Sequence, residues 1–226
     1  MEKEWLNCEM HCHTYNSRCS SLKYETIIKH CKIKKIDVIA ITDHNNVNPS
    51  LEFAKIAPDW LKVITGQEIK TASGEIIGLF TTENIAKEQD LRKTMLAVKE
   101  QGGLVCIPHP FDSIRSATIE ISDLEKNLDL VDMVEVYNSR VLKKTYNTKA
   151  LKFAGKHSLS VVCGSDAHFS IEIGKSILKI PHFNNAEEFK NQLDNAIISG
   201  RRSPAIVNLF SKISKFPNPT EINNAI

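Results

Sequence analysis

The strongest constraint in this sequence is a series of six short apolar segments, each of which ends at or near a polar residue. The segments are rich in Val, Ile and Leu and alternate with stretches of helical periodicity. Such alternation predicts an α/β fold in which helices cover a parallel sheet or barrel. The six predicted strands lie at residues 8–13, 37–44, 62–69, 104–110, 133–138 and 159–168.

Apolar residues at helical spacing occupy most of the sequence between these strands. Residues 71–82 are different, because their alternation around Ser73 and Gly74 is typical of a β-hairpin. The predicted helices lie at residues 23–34, 50–56, 88–101, 122–128, 145–157 and 186–199.

The length of 226 residues fits one domain, which we expect to span residues 1–211, with a polar, proline-containing extension at 212–226. The 29 basic and 27 acidic residues leave a formal charge of only +2, so no overall field favours nucleic acid or a membrane surface. No apolar run approaches the roughly 20 residues of a membrane helix, and the polar N-terminus does not resemble a signal peptide. We therefore expect a cytoplasmic protein with no membrane partner.

The six cysteines form no Cys-x-x-Cys pair and fall mostly inside apolar segments. This pattern argues against a zinc ribbon and against a secreted disulfide framework. We expect most of them to be small buried residues in a reducing compartment, with Cys19 as the exception.

The polar residues at the predicted strand ends include five of the eight histidines. Because the carboxyl ends of parallel strands share one rim of a barrel, we expect these side chains to converge there. A mixture of imidazole nitrogen and carboxylate oxygen suits zinc, manganese or iron, so the sequence predicts a polynuclear metal site. The residues are His11, His13, Asp43, His44, Glu68, His109, Asn138, Asp166 and His168.

Five motifs within residues 9–168 resemble those of the PHP superfamily, named for polymerase and histidinol phosphatase. The motifs are EMHCHT, ITDHN, GQEI, IPHPF and GSDAH, in that order. The resemblance implies a distorted (β/α)7 barrel that binds two or three divalent ions (Zn, Mn or Fe) and acts as a phosphoesterase.

The same resemblance implies a distribution of ligands among three metals. The first metal takes His11, His13, Glu68 and Asp166. Glu68 also bridges to a second metal bound by His109. His44 and His168 belong to the third site.

Two departures from the family pattern bear on these sites. Arg18 and Cys19 stand where many members have an aspartate or histidine, and Cys19 is either a substitute ligand at the third metal or a free thiol. Ile76 and Ile77 stand where many phosphatases of the family have a histidine, which predicts an incomplete second site.

The implied reaction is hydrolysis of a phosphate ester by a metal-activated hydroxide. We expect His44, Glu68 and His168 to take part in catalysis, together with Asp43, which orients His44, handles a proton or caps a turn. Candidate substrate-binding residues are Arg18, Asn138 and Arg140, because they follow the predicted strands at the rim. The expected substrate is a small phosphorylated metabolite, a nucleotide or the end of an oligonucleotide.

Two other functions remain open on the sequence alone. One is hydrolysis of a carbon–nitrogen bond, as in amidohydrolases, although no strand-end lysine is suited to carbamylation. The other is a non-catalytic module in which the metals only stabilise the barrel.

Overall fold

The computed structural model describes residues 4–204 and contains one mixed sheet of nine strands. The strand order is β7-β6-β5-β4-β3-β2-β1-β8-β9. The strands are β1 Trp5–Cys12, β2 Val38–Ile41, β3 Lys62–Thr71, β4 Gly74–Leu79, β5 Leu104–Ile107, β6 Met133–Asn138, β7 Ser160–Gly164, β8 Ser176–Pro181 and β9 Ile197–Gly200.

In the described part of the chain, six α-helices pack around this sheet, and two short 3-10 turns, Leu128–Leu130 and Leu193–Asn195, follow the fourth and the sixth helix. Asp90 caps the third helix by accepting a hydrogen bond from Lys93 N, so that helix begins after residue 88, where it was predicted to start. The helices are α1 Tyr24–Lys34, α2 Asn48–Ile56, α3 Leu91–Glu100, α4 Ile121–Glu125, α5 Lys144–Lys156 and α6 Ala186–Gln192.

Strands β1 to β7 curve into a nearly closed barrel, which confirms the predicted α/β fold class. β1, β2 and β3 are parallel, as are β5, β6 and β7, and the predicted hairpin strand β4 runs antiparallel between the two groups. The ends of β1 and β7 meet where His13 N donates to Ala167 O at 2.9 Å and Ala167 N donates to His11 O at 3.2 Å. The closure therefore holds the residues around His11 and Asp166 next to one another.

The C-terminal part of the described chain differs from the sequence prediction. The helix predicted at 186–199 ends at Gln192, and residues Ile197–Gly200 form β9 instead. β9 pairs with β8, a strand that was not predicted, and β8 pairs with the start of β1. β8 pairs with the half of β1 that does not reach β7, so β8 supplies the hydrogen bonds that closure leaves unmade. The predicted extension at 212–226 lies outside the described residues.

One apolar cluster takes buried side chains from strands β1 to β8 and so fills the space that they enclose. Cys8 and Met10 of β1, Ile64 of β3 and Met133 of β6 all belong to it. Two further clusters join the outer faces of the strands to the helices. Within residues 4–204, no helix combines the length and the apolar character that a membrane span requires.

Candidate metal centre

The candidate site lies at the carboxyl ends of the barrel strands. His11 belongs to the end of β1, Glu68 to β3, and His109 and Asp166 follow β5 and β7. His109 and Asp166 have positive φ angles of 31° and 54°. Such angles are uncommon outside glycine and are often found at functional sites, where the surrounding structure compensates for the strain.

Two imidazole nitrogens and two carboxylate oxygens converge on one point of this rim. His11 Nε2 and His13 Nε2 are 3.0 Å apart. Glu68 Oε2 lies 3.6 Å from the first nitrogen and 3.4 Å from the second. Asp166 Oδ1 lies 3.7 Å and 3.5 Å from the same two atoms. All four side chains are buried.

These separations match the requirements of a bound cation. Ligand atoms about 2.1 Å from a tetrahedral ion are roughly 3.4 Å apart. Among the described residues, Glu68 Oε2 and Asp166 Oδ1 are buried and accept no hydrogen bond, a costly arrangement for carboxylate oxygens without a positive partner. The residues present therefore fit a divalent metal ion.

A second set of possible ligands adjoins the first. The rings of His44 and His168 lie on the two sides of His13, with centroids 4.5 Å and 4.4 Å from it, and the three rings form one potential metal-binding group. His168 Nδ1 donates to Asp166 O at 2.8 Å, which leaves its Nε2 as the metal-facing atom. Burial and the positive charge of Arg140 keep the pKa of His168 well below its usual value, so its ring is neutral.

Glu68 connects these groups to a third. Its Oε1 lies 3.0 Å from His109 Nε2, and its Oε2 lies 3.2 Å from His44 Nδ1. A glutamate whose two oxygens face different imidazoles has the geometry of a bridging ligand.

Glu75 is a further candidate ligand, which lies beside Ile76 and Ile77 and was not predicted from the sequence. Its Oε1 lies 3.9 Å from His44 Nδ1, and His44, Glu68 and Glu75 form a further potential ligand group. The isoleucines are buried in the apolar core, while the preceding position of β4 faces the rim. Burial and the Glu68 carboxylate raise the pKa of Glu75 to about 9, because together they outweigh the positive charge of Arg115.

The charges within the first group are strongly interdependent. Burial lowers the pKa of His11, but the carboxylates of Asp166 and Glu68 outweigh it and raise the value well above normal. Burial raises the pKa of Asp166, but Arg115 and His11 outweigh it and hold the value well below normal. In the metal-free protein, a proton on His11 therefore supplies part of the positive charge.

Glu135 was missed by the sequence prediction. Its Oε1 accepts from His11 Nδ1 at 3.1 Å, and its Oε2 accepts from His109 N and from Asn138 Nδ2, both at 2.9 Å. The only sequence signal for it is an acidic residue inside the apolar strand MVEVYN. Asn138 lies close to the cluster, as expected, and also donates to Asp166 Oδ2 at 3.3 Å.

Asp43 contacts the loop that follows His13. Its Oδ1 accepts from Thr14 N at 2.9 Å and from Ser17 Oγ at 2.5 Å, while its Oδ2 accepts from Thr14 Oγ1 at 2.8 Å. Ser17 Oγ accepts in turn from His44 N at 3.2 Å. This arrangement couples the loop to the backbone of His44.

Cys19 and Arg18 lie at the mouth of the site. Cys19 is partly exposed and is absent from the close ligand groups found in the described chain. Burial and the charge of Asp166 raise the pKa of Cys19 to about 12, which disfavours a thiolate without a metal. Arg18 is exposed and lines a polar groove of about 990 Å³ that Cys19 and His44 also line.

A second cavity, of about 430 Å³, opens directly over His44, Glu75 and His168. Arg140 lines it and is itself buried, with its Nε 3.3 Å from Glu172 Oε1. Arg115, which was not predicted from the sequence, also lines this cavity. It donates to Asp166 Oδ2 at 2.5 Å and to Asp112 Oδ2 at 3.2 Å.

The sequence and the fold both match known proteins. The model of the PHP domain family matches residues 9–197. The uncharacterized protein MJ0417 of Methanocaldococcus jannaschii is 40% identical over 182 residues, which are 79% of this chain and 72% of that protein.

Three solved structures share the fold at 13–18% sequence identity. PsfC from Pseudomonas syringae has a TM-score of 0.69, covering 94% of this chain and 98% of that one. A two-domain Bacteroides vulgatus protein that contains a predicted PHP-like metal-dependent phosphoesterase has a TM-score of 0.67, covering 93% and 70%. An amidohydrolase from Chromobacterium violaceum has a TM-score of 0.59, covering 72% and 87%.

Proposed function

The chain belongs to the PHP domain family, and from this we propose that it is a metal-dependent phosphoesterase. The proposed substrate is a small phosphorylated metabolite, a nucleotide or the end of an oligonucleotide. One observation carries the proposal: the buried nitrogens His11 Nε2 and His13 Nε2 are 3.0 Å apart, and a buried carboxylate oxygen of Glu68 and one of Asp166 each lie 3.4–3.7 Å from both nitrogens. The proposal includes a cytoplasmic location, in line with the reducing compartment that the cysteine pattern favours.

We assign the metal ligands from the observed groups. The four residues named above hold the first ion. Glu68 would be shared with a second ion held by His109, with Glu75 as a further candidate ligand next to Glu68 and His44, and His44 and His168 would hold a third ion next to His13. The donors are all imidazole or carboxylate, which favours zinc, manganese or iron. A Cys19→Ala variant tests whether Cys19 is an additional ligand of the third ion. Loss of metal from this variant would support that role, and full metal content would exclude it.

Ions bound at these positions would lower the pKa of a coordinated water and neutralise phosphate oxygens as charge accumulates on them. The protein's own contribution is to hold the ligands in place. Glu135 fixes the imidazole of His11 so that its Nε2 faces the site. Asp43 anchors the loop that carries Ser17, and Ser17 positions the backbone of His44.

Arginine side chains at the cavity supply the remaining positive charge for a phosphoryl group. Arg140 is held by Glu172, and its guanidinium lines the cavity beside His168. A guanidinium that is oriented in advance binds phosphate oxygens at a low cost in side-chain entropy. Asn138 supports this arrangement by donating to Glu135 and Asp166, while Arg18 lines the adjoining groove into which a longer substrate would extend.

Release of phosphate from 4-nitrophenyl phosphate tests the proposal. We expect activity from protein loaded with manganese or zinc, loss of activity with a chelator, and loss of both activity and metal in Glu68→Gln. A Glu125→Gln variant, changed at an exposed glutamate of α4, serves as the control. A fully active Glu68→Gln enzyme would contradict the bridging role.

Hydrolysis of a carbon–nitrogen bond is the second candidate, because the fold is shared with an amidohydrolase. The candidate ligand groups consist of histidine and carboxylate side chains, so that reaction would use these ligands. Parallel assays with an aryl phosphate and with a cyclic amide separate the two reactions. A protein that binds metal yet cleaves neither substrate would be the non-catalytic module.

A further inference from the structure

We propose that the cavity above the metal centre selects phosphate esters whose leaving group is apolar, through Ile114 and Leu142 at its mouth. This inference rests on the proposed phosphoesterase function and defines its substrate class. Both residues line the same cavity as His44 and His168, yet they come from different loops, after β5 and after β6.

The polar wall of the cavity fixes where the phosphoryl group lies. Arg115 is held by Asp112 and Asp166, and Arg140 is held by Glu172, so neither guanidinium needs to be ordered by the substrate. Because these arginines and the candidate metal ligands share one cavity, the phosphoryl group is bound at its base. The leaving group must then point towards the mouth.

The mouth is apolar on two sides. Ile114 is 42% exposed and Leu142 is 38% exposed, although both are large aliphatic residues. Single exposed aliphatic side chains are common and need no explanation. Ile114 and Leu142, however, both line one cavity that also holds charged groups. Together they provide a surface on which an apolar leaving group is buried.

The size of the cavity agrees with a small ester. Its volume of about 430 Å³ lies within the range of about 300–1,000 Å³ that is typical of small-molecule sites. Burying two methylene groups of a substrate at such a surface improves binding roughly tenfold.

The test compares n-hexyl phosphate with glycerol phosphate, because both esters release an alcohol and differ mainly in the polarity of the leaving group. In metal-loaded wild-type protein, we expect kcat/KM for the hexyl ester to be about tenfold higher. In an Ile114→Ser, Leu142→Ser double variant, the preference disappears while metal content and the rate with glycerol phosphate stay unchanged. Leu96→Ser, altered at a residue 40% exposed outside this cavity, keeps the preference.

Binding of hexylphosphonate and methylphosphonate, measured by calorimetry, provides a second readout that requires no hydrolysis. Tighter binding of the hexyl compound by wild type, lost in the double variant, supports the inference even if no ester is cleaved. Failure to cleave any ester rejects the proposed function alone. Equal rates for the two esters with equal binding of the two phosphonates, or a preference that survives in the double variant, overturn the inference.

Discussion

Glu135 Oε1 accepts a hydrogen bond from His11 Nδ1 at 3.1 Å, and both side chains are buried at the base of the site. This contact fixes the tautomer of His11, because a proton on Nδ1 leaves Nε2 as the ligand atom. The other oxygen of Glu135 holds His109 N, so one carboxylate positions ligands from two strands. Glu135 is therefore a positioning residue rather than a ligand.

Replacing Glu135 with glutamine is expected to weaken metal affinity by about 10- to 100-fold, because loss of such a partner reduces the basicity and the order of the imidazole. Competition with a chromophoric chelator measures the change. Asp123→Asn, altered on α4, serves as the control. Unaltered affinity in Glu135→Gln would show that the contact with His11 does not matter for metal binding.

A Glu75→Gln substitution tests whether this side chain binds metal. We expect the variant to bind one ion fewer per chain and to retain the first ion, because the four ligands around His11 are unchanged. Elemental analysis after dialysis gives the stoichiometry. The matched control is Glu100→Gln at the exposed end of α3. The same metal count in wild type and Glu75→Gln would exclude the assignment.

Chelation is expected to lower the thermal unfolding midpoint. The buried carboxylates of Glu68 and Asp166 lose the cation that balances their charge, and a ligand present at 100 times its Kd contributes about 2.7 kcal/mol to the stability of the folded state. For a chain of this size, that corresponds to a shift of roughly 5–10 °C. Differential scanning calorimetry with and without chelator measures it, and identical midpoints would argue against a resident metal.

Metal binding is expected to release a proton. Asp166 and Glu68 outweigh the effect of burial and raise the pKa of His11 well above its usual value, so at neutral pH the metal-free protein carries a proton that an ion must displace. The observed metal affinity therefore increases as the pH rises and levels off above the pKa of His11. Titration calorimetry in buffers with different ionisation enthalpies measures the release. Equal heats in all buffers would contradict it.

The sequence predicted the barrel and its rim because both depend on local patterns. Apolar segments of strand length and the polar residues that close them are visible one segment at a time, so His11, Glu68 and Asp166 were identified before their contacts were known. β8 was not predicted because it lies within residues 169–185, between the last predicted strand and the last predicted helix, where no element was assigned. β9 was read as the end of a helix, since its short apolar stretch continues the periodicity of α6.

The missed site residues share a different cause. Glu75, Arg115 and Glu135 acquire their roles through tertiary contacts, and the only local signal among them is the position of Glu135 inside the apolar segment MVEVYN. In β4 successive side chains point to opposite faces of the sheet, so Glu75 lies towards the rim and Ile76 packs in the core. Two adjacent positions of one strand therefore hold a candidate metal ligand and a core residue.

Substitution of Asp43 distinguishes a role in positioning the loop after His13 from a role in proton transfer. Both of its oxygens accept hydrogen bonds from Thr14 and Ser17, and burial raises its pKa to about 6. In Asp43→Asn, the new amide group meets backbone and hydroxyl donors, so we expect a loss of about 1–3 kcal/mol in the free energy of unfolding. Asp59→Asn, at an exposed position, should cause no such loss.

The pH profile of Asp43→Asn separates the two roles. A carboxyl group whose pKa is higher in the folded than in the unfolded state contributes stability at low pH that is lost as the pH rises through about 6. The variant should therefore lose this component of the pH dependence of stability. Asp43 contacts the loop rather than the His44 ring. The plot of kcat/KM against pH for the variant should therefore keep both its acidic and its basic limb, with lower values throughout. Loss of one limb of that profile would instead identify Asp43 as the group that transfers a proton.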